Sequence, residues 1–144
     1  SGTSVTFGSI PAGTTLIFVN FEDVSLDSTA AVEVTIGDSA GMELTGYDSN
    51  SQNMDNVTTN GPQARTDSFV ITTQNAAEAI SGQMVLVLKD SANFTWTSSH
   101  STTGAGNVMM HGGGRKSLSA ELTQVGVNSG ANNFDGGSIS ISYM

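Results

Sequence analysis

Alternation of apolar and polar side chains is the feature that most constrains how this chain folds. It runs through residues 117–127 and again through residues 136–144, and a period of two is that of a strand with one buried face. In the first segment the phase slips, which predicts a β-bulge near Thr123 and Gln124 that keeps the apolar side chains on one side. The polar segment 128–135 is rich in Gly and Asn and suits a chain reversal. The two alternating segments are therefore predicted to form a hairpin.

Apolar runs earlier in the chain predict further strands. Residues 15–21 are apolar at both parities, which is typical of a central strand covered on both faces. Residues 32–36 form an apolar stripe before a turn at 37–41, and residues 83–89 precede a turn at 90–93. Together these elements predict an all-β fold, an antiparallel two-sheet sandwich of about eight to ten strands with jelly-roll-like connections.

Composition agrees with that fold and excludes several classes of protein. Of 144 residues, 37% are hydrophobic and only 12% charged, with 17 Gly and 2 Pro, as expected for a single β-sandwich domain spanning residues 1–144. The net charge is −9, and the 4 Lys and Arg residues are too few for a basic nucleic-acid-binding surface. The chain has no Cys and no apolar run of membrane-spanning length. We therefore expect no disulfide, no nucleic-acid partner and no membrane insertion.

Two polar segments show no apolar periodicity. Residues 48–65 contain few apolar side chains, and residues 98–106 have a loop-like composition rich in Ser, Thr and Gly. Loops of this length are uncommon in small domains and are usually functional or mobile. Both segments are therefore predicted to be recognition loops.

Two motifs are similar to those of hydrolases. Gly37-Asp38-Ser39-Ala40-Gly41 matches the pattern of a nucleophile elbow, and His111-Gly112-Gly113-Gly114 matches an oxyanion-hole motif. The elbow requires a strand-to-helix turn, but the residues after it continue as a predicted strand, and the glycine motif follows the serine instead of preceding it. In trypsin-like proteases the catalytic His precedes the Ser in the sequence, and here no His precedes Ser39. Turns are the favoured interpretation of both motifs, and we expect no enzymatic activity.

Candidate ion ligands do not form a recognised metal-binding pattern. Asp48, Asn50, Gln52 and Asn53 loosely resemble a calcium loop but lack its Gly and Glu. The two histidines, His100 and His111, have neither Cys nor a closely spaced second His, so a position on a polar surface or at a trimer axis is favoured over zinc ligation. The prediction is no metal and no cofactor, with an incidental ion near one of several carboxylates, Asp38, Glu43, Asp48 or Asp135, left open as an alternative.

Aromatic and polar side chains in or beside the two segments are candidates for ligand binding. Trp96, Tyr47 and Tyr143 could stack on sugars, although core packing is the favoured interpretation of Trp96. The residues predicted to bind a receptor are Tyr47, Asp48, Asn50, Asn53, Arg65, Trp96 and His100.

Taken from end to end, the sequence resembles a domain common in phage tail fibres and other virion appendages. The matching segments are residues 10–14, 21–25, 36–43, 45–47, 68–69 and 82–86, Trp96, Gly112-Gly113-Gly114 with Lys116-Ser117-Leu118-Ser119, residues 122–125, and Phe134-Asp135-Gly136-Gly137-Ser138-Ile139 with Tyr143. The resemblance implies a β-sandwich at the C-terminal end of a fibre or similar appendage, trimeric and without enzymatic activity. The departures are residues 24–31, residues 48–65 and Gly126, so the identity of the host or ligand does not follow from it.

Three functional hypotheses follow. The first is a phage fibre or spike domain of the virion, a homotrimer that contacts other virion proteins and recognises a glycan or protein on the host surface through its loops, with avidity from several sites. The second is a capsid decoration or cement protein that stabilises the phage head. The third is a carbohydrate-binding module, which predicts a monomer with an exposed aromatic platform.

Overall fold

Strands are the only regular secondary structure in the described part of the chain. The computed structural model describes residues 2–55, 62–76 and 78–144, and these contain twelve strands and no helix. The strands are β1 (Ser4–Phe7), β2 (Leu16–Leu26), β3 (Ala30–Asp38), β4 (Gly41–Met42), β5 (Tyr47–Met54), β6 (Gln63–Arg65), β7 (Phe69–Gln74), β8 (Ile80–Asp90), β9 (Thr95–Gly104), β10 (Val108–Ser117), β11 (Gln124–Asn128) and β12 (Phe134–Tyr143).

Two antiparallel sheets pack face to face. The small sheet has five strands in the order β1-β11-β3-β4, with β7 also paired to β3, and the large sheet has seven in the order β12-β2-β8-β9-β10-β5-β6. Their inward side chains share one hydrophobic core, which includes Ile17, Val19, Val34, Ile36, Phe69, Met84, Leu86, Trp96, Val125 and Val127. The predicted all-β antiparallel two-sheet sandwich is confirmed.

Both predicted early turns are present. Strand β3 reverses into β4 with Gly37 opposite Met42 and Asp38 opposite Gly41. Strand β8 likewise reverses into β9 after Asp90. Strand β2 is only partly as predicted, because its inner side chains are buried whereas Phe18 on its outer face is half-buried.

The predicted hairpin near the end of the chain is wrong. Residues 118–123 are not a strand but a connection between the sheets, tied by N–H groups of Leu118 to Phe94 O at 3.1 Å and of Thr123 to Gly37 O at 3.0 Å. Leu118 and Leu122 are nevertheless buried. The phase slip therefore marks the start of β11 and not a β-bulge. Strand β11 pairs with β1 and β3 in the small sheet, whereas β12 pairs with β2 in the large one.

Both predicted recognition loops are largely strands. The first contributes β5 and β6 at one edge of the large sheet, and its residues 56–61 lie outside the described part of the chain. The second is most of β9, which lies between β8 and β10. The strand count is therefore higher than predicted, because these polar strands carry no apolar stripe to reveal them.

The two lateral sides of the sandwich differ. On one side, β7 of the small sheet lies against β5 of the large sheet, and the hydroxyls of Ser49 and Ser51 accept the N–H groups of Val70 and Thr72 at 3.0 and 3.1 Å. We call this the closed side. On the other, β1 faces β12 across a crevice of about 220 Å³, bridged at one end where Phe134 N–H donates to Gly2 O at 2.9 Å. We call this the open side.

Candidate functional site

The outer face of the large sheet gathers neutral polar side chains from five strands. Residues directly opposite one another in an antiparallel ladder project to the same face. One row of opposed residues is Phe18, Val85, Ser99, Gly113 and Asn50, and the next is Asn20, Gln83, Ser101, His111 and Gln52. We call these two rows the neutral face, because neither contains Asp, Glu, Lys or Arg in a chain of net charge −9.

The neutral face is concave. A shallow depression of about 690 Å³ is lined by Asn20, Phe21, Gly82, Gln83, Val85, Ser99, His100 and Ser101. A second depression of about 250 Å³ is lined by Asn50, Ser51, Gln52, Pro62, His111, Gly112 and Gly113. Together they form a surface of amide, hydroxyl and imidazole groups with an apolar border at Phe18 and Val85.

The glycine run in β10 has a packing reason. Gly112 and Gly114 face the core, where an added Cβ would lie 2.5 Å from His100 Cε1 and 2.9 Å from Phe69 Cδ1, respectively. The backbone carbonyl oxygens of Asn50 and Asp48 on β5 lie closer still to these two positions. Cβ atoms do not approach other atoms that closely, so glycine lets both the β5 backbone and the two rings lie against β10. Gly113 faces outward between Ser99 and Asn50, where its bare backbone contributes to the floor of the second depression. The run is a strand interior and not an oxyanion-hole loop.

Two of the aromatic candidates belong to the core. Tyr47 is 3% and Trp96 2% exposed. The Tyr47 hydroxyl accepts Ile36 N–H at 2.9 Å, and its ring meets Phe69 edge to face at 4.9 Å, while burial raises the pKa of Tyr47 to about 12. The prediction that Tyr47 and Trp96 bind a receptor is therefore corrected, because buried rings offer no stacking platform.

His100 is also buried, at 5% exposure. Its Nε2 lies 2.9 Å from the Ser51 hydroxyl, and its Nδ1 is buried with no hydrogen-bond partner in the described part of the chain. Because the Ser51 oxygen accepts the Thr72 N–H, its own proton can be donated to Nε2. Burial, and then the nearby charge of His111, lower the pKa of His100 to about 4. His100 is therefore a neutral core residue at neutral pH and not a surface receptor contact.

The other four residues predicted to bind a receptor lie in different places. Asp48 and Asn50 are exposed on the outer face, with Asp48 opposite Arg115 in the row beside the neutral face. Asn53 lies opposite Met110, which faces the core. Arg65 donates to Glu33 at 2.9 Å and links the two sheets. Of the predicted receptor-binding residues, only Asn50 thus belongs to the neutral face, with Asp48 in the adjacent row.

Sequence reasoning missed most of the neutral face. Gln83, Ser99, Ser101 and His111 were not predicted as site residues, although all are exposed on it. A signal existed in β9, where hydroxyl-bearing residues alternate with the core residues Trp96 and His100. It was hidden because the other inward residues of β9, Ser98 and Thr102, also carry hydroxyls.

The Ser39 motif forms a turn, and the acidic and histidine side chains of the described residues form no metal-binding group. Ser39 is exposed in the β3–β4 turn, where Asp38 Oδ1 accepts Ala40 N–H at 2.7 Å, and this supports the turn interpretation. Across residues 2–55, 62–76 and 78–144, no three His, Asp or Glu side chains are grouped so that they could hold a metal ion. The same ranges contain no helix with the length and apolar character needed to cross a bilayer.

Comparisons of the chain with protein-family models, with curated proteins and with solved structures found no match. The geometry of the neutral face is thus the main guide to function.

Proposed function

We propose that this protein is a non-enzymatic recognition domain of a phage virion appendage, a fibre or spike, and that it binds a neutral glycan of the host surface through the neutral face. The observation that carries the proposal is the pair of register rows in which Asn, Gln, Ser and His side chains line a shallow concavity without a single carboxylate, ammonium or guanidinium.

The chemistry of these rows suits sugars. Amides and hydroxyls both donate and accept hydrogen bonds, as sugar hydroxyls do. Val85 lines the first depression, and Phe18 lies opposite Val85 on β2. Both side chains are half-buried and offer apolar surface to the C–H face of a sugar ring. A phosphorylated or sulfated ligand is disfavoured, because the chain carries net charge −9 and the rows supply no Lys or Arg.

Placing the site on strands changes the predicted mechanism of binding. Loops 48–65 and 98–106 were expected to recognise the host, but the described parts of both lie mainly in paired strands. Side chains on a paired sheet lose less conformational freedom on binding than those on mobile loops, which favours affinity. Several copies on one appendage would add avidity.

The assignment to a virion rests on the resemblance of the ordered motifs from residue 10 to Tyr143, and the sandwich fold is compatible with it. A head decoration protein is the second candidate. The opposed outward pairs Leu16 with Val87 and Phe18 with Val85 are only half-buried, and such a patch could be covered by a capsid shell.

Binding to host cells and to an array of neutral glycans tests the proposal. Ser99→Tyr places a ring in the first depression and is expected to weaken binding at least about tenfold, a loss of about 1.4 kcal/mol. Ser4→Tyr is the matched control, because Ser4 is exposed on β1 in the small sheet, and it should bind like the native chain.

Two results would contradict the glycan proposal. One is equal binding by the native and Ser99→Tyr chains, which would remove the neutral face as the site. The other is binding of the native chain to purified phage heads but to no host cell or glycan, which would favour the decoration protein.

A further inference from the structure

We infer that the free edge of β12 pairs with the β12 edge of a second copy of this chain, forming a two-fold dimer with one continuous sheet. Strand β12 is ten residues long and pairs with β2 along one edge. Along the other edge, the described residues contribute only the bridge between Gly2 and Phe134 at its start. Most of a long strand edge is thus left open.

The register shows which backbone groups face the free edge. Met144 N–H donates to Leu16 O at 2.9 Å, and Leu16 N–H donates to Met144 O at 3.1 Å, so these residues form a hydrogen-bonded pair. Hydrogen-bonded and non-hydrogen-bonded pairs alternate along an antiparallel ladder. The N–H and C=O groups of Ile139, Ile141 and Tyr143 therefore point away from β2, toward the free edge.

The other sheet edges are short or capped. Strands β1, β4 and β6 have four, two and three residues, and β7 donates N–H groups to the serines of β5. Short edges and capped backbone groups are common protection against strand addition. From Gly136 to Met144, by contrast, β12 carries no Pro, Lys or other charged side chain. The β12 edge is therefore long and unprotected, and these properties favour pairing with a strand of another chain.

A second copy of β12 fits this edge better than an arbitrary strand. In an antiparallel pairing centred on Ile141, Ile141 faces its own copy and Ile139 faces Tyr143. All three outward residues then form hydrogen-bonded pairs, which gives about six N–H···O bonds across the axis. Ile139 and Ile141, half-buried in the single copy, and Tyr143, 44% exposed, would pack together on the core side, with serines opposite serines on the outer side.

Charge favours the same approach. Two chains of net charge −9 repel each other least where they meet through surfaces without charged side chains, and β12 from Gly136 onward is such a surface. The two-fold axis runs through the sheet, so the neutral faces of both copies lie on the same side. The dimer is independent of glycan binding, although it would present two sites in one direction.

Sedimentation of the native chain over a wide concentration range tests the dimer. We expect a mass of twice 14.8 kDa that dissociates on dilution. Ile141→Pro removes the central outward N–H without removing a bond to β2, and should weaken association at least about tenfold while the fold is retained. Ile141→Val keeps that N–H and the branched side chain and should dimerise like the native chain.

The N–H groups of β12 alternate between its free edge and β2, and this alternation supplies a second control. Ser142→Pro removes an N–H that bonds to β2, so it should destabilise the fold instead. If Ile141→Pro does not fold, Tyr143→Pro removes another outward N–H near the end of the strand. A native chain that is monomeric at all concentrations, or a trimer as the appendage resemblance implies, would overturn the pairing, as would a folded Ile141→Pro chain of unchanged dimer affinity. Glycan binding by single copies would survive each of these outcomes.

Discussion

The closed and open sides of the sandwich differ in how the backbone groups at their sheet edges are hydrogen-bonded. Both are places where two sheets meet without a shared ladder, and both leave backbone groups to be satisfied. On the closed side, the hydroxyls of Ser49 and Ser51 take up the edge N–H groups of β7. On the open side, β1 and β12 leave a crevice and the N–H groups of β12 point outward. The first side is sealed within one chain, whereas the second is available to another chain.

This difference explains why several polar side chains are buried on the closed side. Ser49 and Ser51 are 2% and 1% exposed, yet each replaces a backbone partner that the small sheet does not supply. His100 then lies against Ser51, and Gly112 leaves room for its ring. The closed side is therefore a connected polar cluster whose members depend on one another.

Protonation of His100 should have the largest effect on the closed side. Its pKa in the folded chain is about 4, against 6.5 in the unfolded chain, so between these values the unfolded chain binds more protons. The stability it contributes is thus present above pH 6.5 and is lost as pH falls toward 4, by about 3 kcal/mol in all. Urea unfolding at pH 7 and pH 4 measures this loss.

Variants isolate that effect from the titration of carboxylates. His100→Gln should unfold with a smaller difference between the two pH values than the native chain. His111→Gln is the control, because His111 is exposed on the neutral face, and its pH dependence should stay close to native. Equal pH dependence in the native and His100→Gln chains would show that protonation of His100 does not destabilise the folded chain.

Removing a serine hydroxyl should have the next largest effect. Ser51→Ala leaves the Thr72 N–H without this acceptor and His100 Nε2 without its partner, and unsatisfied buried groups of this kind cost about 2 kcal/mol. Urea unfolding at pH 7 gives the value. Ser142→Ala, at an exposed position of β12 on the open side, should change stability by less than about 0.5 kcal/mol. Similar losses in the two variants would erase the proposed distinction between the sides.

Alternation was sufficient to predict the sandwich because most core-facing positions of β2, β3 and β8 are apolar and regularly spaced. The same rule failed at residues 118–123, where Leu118 and Leu122 are buried without a ladder. Burial with a period of two can arise in an irregular connection, since only hydrogen bonds to a neighbouring strand define a strand.

The polar strands were missed for the opposite reason. Apart from Tyr47 and Trp96, most inward residues of β5 and β9 are polar. Ser49 and Ser51 accept N–H groups of β7, and His100 contacts Ser51. A local sequence pattern does not predict that a hydroxyl will accept a hydrogen bond from a backbone N–H far away in the sequence. The neutral face was therefore hidden as well, because it is formed by the alternate residues of those same strands.

Amide hydrogen exchange resolved by residue tests the contrast between the two sides most directly. The N–H groups of Val70 and Thr72 should be protected at every concentration, because buried hydroxyls accept them. Those of Ile139, Ile141 and Tyr143 should be protected in the dimer and should exchange rapidly on dilution, while Ser140 and Ser142 between them stay protected by β2. Rapid exchange at Val70 and Thr72, or equal protection of all five β12 amides in dilute solution, would contradict the account.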